Sequence, residues 1–161
     1  MNIGIIVHSK TGTTLAFGEL IAQALRDKGH NADIVRVETD NSSPAGGSEE
    51  FTITSDCDCS KFDAVIVGSP VWAFSPSPII MACIQQLQNI SGKKVLPIAT
   101  MGFPFTWMGG TRTIKMISRA VENKGASVLP GRVIPKLFHN YQKLMEQAAA
   151  EISDYFGGSA G

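Results

Sequence analysis

Residues 7–15 read VHSKTGTTL. They follow a short apolar run, Ile3-Gly4-Ile5-Ile6-Val7, and precede a pattern of helical period. Four of them, Ser9, Thr11, Thr13 and Thr14, carry hydroxyls, one is glycine and none is acidic. A run that apolar is the signature of a strand buried on both faces. Residues 14–28 then put Leu20, Ile21, Ala24 and Leu25 on one helical face, with Lys28-Gly29 as a stop. The quoted stretch is therefore predicted to be the turn from a buried strand into a helix. Backbone N–H groups there have no intrahelical partner and the helix dipole is positive, so an anion is stabilised. Gly12 lets the chain pass close to it. The four hydroxyls can donate to phosphate oxygens, and Lys10 supplies a single cation. One or two hydroxyls would serve an ordinary helix cap; four beside a glycine exceed that need.

Other phosphate loops fail on the letters. The P-loop needs GxxxxGK[ST], but Gly12 is followed by Thr13; a dinucleotide fingerprint needs GxGxxG, and one glycine is present. A receiver domain needs carboxylates after the first and third strands. Those ends are Val7-His8 and Gly68-Ser69.

The same alternation continues along the chain. Strands are expected at 32–37, 64–68, 94–100 and 127–134, and helices at 77–90, 111–124 and 137–156. Residues 39–61, rich in Ser, Gly, Asp and Pro, form a long connection. Strands alternating with helices call for a parallel sheet covered on both faces. The strand with Asp33 and Arg36 and the one broken by Pro130-Gly131 belong at the edges. The most apolar strands belong in the centre. The order is then 2-1-3-4-5, which puts ligands at the C-terminal ends of the first, third and fourth strands. At 161 residues the chain is one domain, 1–156, with 157–161 a flexible tail.

Net charge is zero, which gives no drive toward nucleic acid. No stretch reaches the ~20 apolar residues of a spanning helix, and no signal peptide is recognisable, so a cytoplasmic protein without a membrane span is expected. Charge is nonetheless segregated. Residues 38–63 carry seven acids and one base, and residues 93–143 nine bases and one acid. Five of the twelve Phe, Trp and Tyr residues fall in two loops at the predicted ligand edge: Trp72 and Phe74, then Phe103, Phe105 and Trp107. Loops are normally polar; aromatics in both suggest a flat ring stacked between them. His8 reads as a packing histidine and Cys83 as core. Cys57 and Cys59, in the acidic connection with no His pair nearby, make no metal site.

These segments together resemble the flavodoxins. SKTGTT (9–14) matches their phosphate-loop pattern [ST]-x-T-G-x-T at each fixed position. DAVIVGSPVWAFSPSP (63–78) is similar to their third strand and flavin loop, and ATMGFPFTWMGGTRT (99–113) to their fourth-strand loop. The resemblance implies a flavodoxin-like three-layer α/β sandwich around a five-stranded parallel sheet. It also implies noncovalent FMN, with the phosphate on Ser9, Lys10, Thr11, Gly12, Thr13 and Thr14. The ring would lie between Ser69, Pro70, Val71, Trp72, Ala73 and Phe74 on one side and Thr100, Met101, Gly102, Phe103 and Trp107 on the other, with Gly109 and Gly110 either allowing close approach or leading into the helix that Thr111 caps. The function implied is electron transfer between redox partner proteins. The alternative is a small NAD(P)H:quinone-type oxidoreductase, toward which Arg112, Lys115 and Arg119 offer cations at helical spacing. Unlike many electron-carrying flavodoxins, the chain is neutral and has Pro70-Val71-Trp72-Ala73 where they often have a glycine beside the ring.

Overall fold

The computed structural model describes residues 1–40 and 51–157. Most of the predicted connection at 39–61 is thus covered, but residues 41–50 and the tail after Gly157 lie outside the described residues. The elements are β1 (Asn2–Val7), α1 (Thr13–Asp27), β2 (Asn31–Arg36), β3 (Ala64–Trp72), β4 (Ser75–Pro76), α2 (Pro78–Gln86), β5 (Lys94–Met101), α3 (Gly110–Glu122), β6 (Ser127–Val128), β7 (Arg132–Pro135) and α4 (Tyr141–Phe156).

The sheet runs β2-β1-β3-β5-β6, with β7 also on β5, and these pairings are all parallel. The strands β6 and β7 are two pieces of one edge strand, split at Pro130-Gly131 as the sequence predicts. Counted that way the order is the expected 2-1-3-4-5, and the architecture is a three-layer α/β sandwich. Side chains of successive strand residues alternate between faces, and this divides the core. Ile3, Ile5, Val7, Ile66, Leu96 and Ile98 pack under α1 and α4, against Phe17, Ile21, Leu25, Met145 and Ile152. Ile6, Val65, Val67 and Val95 face α2 and α3, against Ile80, Cys83, Ile84, Ile117 and Val121. Each such fully buried side chain contributes roughly 1.5–3 kcal/mol, so this alternation fixes the register.

Three predicted boundaries move, each because tertiary bonding outweighs local pattern. The strand predicted to stop at Gly68 runs on to Trp72. It stays paired to β5 as far as Pro70 opposite Thr100, then folds back through Ala73-Phe74 into β4. Both turn residues have positive φ, 48° and 65°, as a two-residue type I′ hairpin requires. Neither is the Asn or Gly that usually fills such a turn, and left-handed backbone costs an ordinary residue about 1–2 kcal/mol. Helix α2 ends at Gln86 instead of 90. Beyond it the Gln88 N–H donates to the Cys57 carbonyl and the Cys59 N–H to that of Gln88, each at 2.9 Å. The last helix starts at Tyr141, four residues late, with Asn140 as its N-cap. Leu137, Tyr141 and Tyr155, expected on its inward stripe, are exposed, while Met145, Ala148, Ile152 and Phe156 are buried as expected.

At the N-terminal end of the strands the chain closes on itself. The Met1 amino group contacts His30 Nδ1 (3.1 Å), and the Gly157 carbonyl is hydrogen-bonded to His30 Nε2. Lys28 pairs with Asp154 beside them.

Candidate functional site

The opposite end, where β1, β3, β5 and β7 stop, holds the candidate site. The turn after β1 is built by Gly12 at φ +95°, a conformation glycine adopts without penalty. Gly12 itself has no side chain with which to cap α1. Ser9 does this from within the turn: its buried Oγ accepts from the N–H groups of Gly12 (3.1 Å) and Leu15 (3.2 Å), leaving its own proton to donate. Arg36 donates to the Ser9 carbonyl from the edge strand (2.8 Å). The N–H groups of Lys10, Thr11, Thr13 and Thr14 have no acceptor among the described residues, and the first turn of α1 carries no acidic side chain. Clustered donors at a helix N-terminus suit an anion.

A cavity of about 190 Å³ opens beside this turn. Thr11 and Thr13 line one end; Pro70, Val71 and Trp72 of β3 and Thr100, Met101 and Gly102 at the end of β5 form its walls, and Lys136 closes it. Eight of the residues singled out from the sequence therefore meet around one space. The others stand nearby in different surroundings. Thr14 is buried, its hydroxyl sharing a hydrogen bond with Thr100 (2.7 Å). Ser69 is buried within the sheet, where its Oγ accepts from the Ser77 N–H (3.0 Å) and donates to the Pro70 carbonyl (2.8 Å). Lys10 is exposed, its ammonium 5.8 Å from the Trp72 ring.

The aromatic residues pair across and within the two walls. Phe74, at the tip of the β3–β4 hairpin, stacks on Phe103 of the β5–α3 loop with planes 2° apart and centroids 5.6 Å apart. Phe105 stacks on Trp107 at 5.8 Å, and Trp107 is 74% exposed. Gly109 and Gly110 are buried and serve close packing. A Cβ on Gly109, at φ +108°, would stand 2.6 Å from the Phe74 Cα, and one on Gly110 would stand 2.6 Å from Val133. The hairpin tip thus rests on Gly109.

His8 is held by the Ser77 hydroxyl on Nδ1 (2.7 Å) and by a T-shaped contact with the Trp72 ring, centroids 5.1 Å apart. Burial, and then the charges of Arg36 and Lys10, push its pKa down to about 4. It is therefore neutral at pH 7 and supplies no charge to an anion. Its packing role matches the sequence reading.

In the sequence Lys136 carried no role, and Arg36 only marked an edge strand. The signal for Lys136 was its place one residue past a strand, at the ligand edge of an α/β sheet. The three cysteines lie at the other face. Cys59, expected in an open loop, is buried with Cys83, and Cys57 is half-buried beside them. Burial raises the Cys59 thiol to about 11 and that of Cys83 to about 12, so both pack as small apolar groups. Arg112, Lys115 and Arg119 line an exposed groove on α3 with Met116.

No protein-family profile matches the chain, and no curated protein does. Solved structures do. The flavodoxin, WrbA-like protein from Agrobacterium tumefaciens aligns over 96% of this chain and 96% of its own, with a TM-score of 0.69 at 13% identity. The Streptococcus pneumoniae flavodoxin aligns over 96% and 99%, with a TM-score of 0.66 at 18% identity. The two-electron reduced flavodoxin of Megasphaera elsdenii aligns over 92% and 98%, with a TM-score of 0.60 at 21% identity. This chain has the flavodoxin fold. At such identities the likeness carries architecture, and what a flavodoxin fold binds is decided by its own loops. Among the described residues, no helix is long and apolar enough to cross a membrane.

Proposed function

We propose that the chain binds FMN noncovalently and carries electrons between partner proteins. One observation carries this reading: among the described residues the N–H groups of residues 10, 11, 13 and 14 lack acceptors, beside a cavity that Thr11 and Thr13 share with the walls 70–72 and 100–102. A phosphate monoester satisfies those donors, and the walls lead from it toward Trp72. Ser9, Thr11, Gly12, Thr13 and Thr14 would hold the phosphate, with Lys10 alongside. Pro70, Val71, Trp72, Thr100, Met101 and Gly102 would hold the ring. Ala73, Phe74, Phe103 and Trp107 would cover it, over the Gly109-Gly110 seat. FMN, when bound, supplies the one- and two-electron chemistry. The protein positions it, limits water and presents an apolar rim, Phe74, Phe103, Phe105 and Trp107, to what docks there.

A second reading, a small NAD(P)H:quinone-type oxidoreductase, draws on the α3 groove, where Arg112, Lys115 and Arg119 could take the phosphates of a nicotinamide nucleotide. The two separate in one experiment. The chain is reconstituted with FMN and treated anaerobically with NADPH. A carrier keeps its yellow colour until a flavin-dependent reductase is added, whereas an oxidoreductase bleaches with NADPH alone. Failure to take up FMN at all rejects both.

A further inference from the structure

Building on the phosphate position just described, we propose that Lys136 is a direct ligand of the phosphate and makes the pocket choose phosphorylated over unphosphorylated ligands. The residue follows Pro135, the last residue of β7, and its backbone is fixed. Its N–H donates to the Met101 carbonyl (2.9 Å), and the next N–H, of Leu137, donates to that of Gly102 (3.2 Å). From this mount the half-buried side chain crosses the cavity to α1. There Nζ donates to the Thr13 hydroxyl at 3.1 Å, and the ammonium stands 5.0 Å from the Tyr141 ring.

Thr13 is the first residue of its helix, so this ammonium points at the positive end of a helix dipole. Among the described residues nothing negative offsets it. The first turn of α1 carries no acid, and no carboxylate pairs with Lys136 among the described residues. Lys10 and Arg36 add two more cations around the same turn. Three positive side chains and a positive helix end repel one another until an anion arrives; a dianion turns each repulsion into attraction. Lys136 differs from the other two in lining the cavity. Arg36 is engaged with a backbone carbonyl outside it, and Lys10 lies over Trp72. Uncharged N–H and O–H groups also bind neutral oxygen ligands, so an ammonium sharpens the preference for phosphate through a charge-assisted bond.

The test compares FMN with riboflavin, which lacks the phosphate, on wild type and on Lys136→Met. The variant should lose about 10-fold or more in FMN affinity while its riboflavin affinity holds. Its FMN binding should also fall less steeply with added salt. Lys136→Arg should restore most of the loss. Should Lys136→Met fold poorly by circular dichroism, Lys136→Gln takes its place. An unchanged FMN affinity, or equal weakening of both ligands, overturns the proposal. Inorganic phosphate titrated against the apo-protein, with the Gly12 and Thr13 amides followed by NMR, separates it from the flavin reading. A phosphate response that depends on Lys136 upholds the lysine's role even if FMN fails to bind. FMN binding that ignores Lys136 upholds the flavin reading and removes the lysine's role. No phosphate response in wild type removes the lysine's role outright.

Discussion

The two ends of the sheet differ in how much strain and how many unpaired groups they carry. At the N-terminal end, left-handed backbone falls to Gly29 (φ +89°), Gly92 (+81°) and Gly125 (+90°) and to Asn89 (+62°), a residue type that tolerates it, and the glycine turns close their own hydrogen bonds. Gly29 donates to Arg26, Gly92 to Gly125 and Gly125 to Glu122. At the C-terminal end, Gly12 and Gly109 are joined by Ala73, Phe74 and Phe138, which take positive φ at a steric cost glycine would avoid. Large aromatic side chains stand in solvent there, and the amides of residues 10, 11, 13 and 14 lack acceptors among the described residues. One end is complete as folded; the other holds strain, apolar exposure and free donors that a ligand would absorb. Local strain of this kind concentrates where proteins do their work.

The strongest break in that contrast comes from filling the donor turn with the wrong charge. Thr11→Asp sets a carboxylate where the phosphate is placed and should weaken FMN binding by ~100-fold or more, about 3 kcal/mol, while leaving the fold intact. Fluorescence titration with FMN measures it; a mutant that still holds FMN tightly places the phosphate elsewhere.

Next in size is Gly109→Ala. The added methyl enters the hairpin backbone at a left-handed position, so the cost should be about 2 kcal/mol or more, read as a lowered Tm. The same substitution at Gly92, also left-handed but with nothing within 4 Å of its Cβ position, should cost about 1 kcal/mol. Equal losses at the two glycines would mean that the hairpin does not rest on residue 109.

His8 gives a smaller, pH-dependent effect. Its folded pKa lies near 4, below the ordinary value of 6.5, so the unfolded chain binds a proton more readily between those values. The stability this neutral imidazole contributes is complete above pH 6.5 and declines as pH falls toward 4. Urea unfolding across that range should show the decline in wild type and a flatter profile in His8→Gln. Smallest of all, Ala73→Gly relieves one left-handed residue and should raise stability by about 0.5–1 kcal/mol. A loss instead would mean that the hairpin needs the alanine side chain.

The sequence exposed the two ends unequally as well. Strand order and edge strands followed from the continuous apolar runs and from the polar breaks in β2 and at Pro130-Gly131; which sheet face each strand residue takes did not. The turn at 9–14 was visible because its residue types are unusual for a helix start. The β3–β4 hairpin was not, because Gly68-Ser69-Pro70 interrupts the apolar run and Ala73-Phe74 is no recognisable turn pair. Its shape comes from pairing with β5 and from the seat at Gly109. Lys136 was hidden for a related reason. A helical stripe seemed to begin at Leu137, whereas residues 136–139 bend back to the 101–104 loop, with His139 on the Pro104 carbonyl (2.8 Å).

His30, with the Met1 amino group on one ring nitrogen and the Gly157 carbonyl on the other, has a practical meaning. Met1 and Gly157 stand together at the end of the sheet opposite the ligand edge. A short linker can span them, so the chain is suited to circular permutation, with new ends cut into a surface loop. An affinity handle or a fused electron-transfer module attached before Met1 or directly after Gly157 would likewise leave the aromatic rim free for whatever docks there.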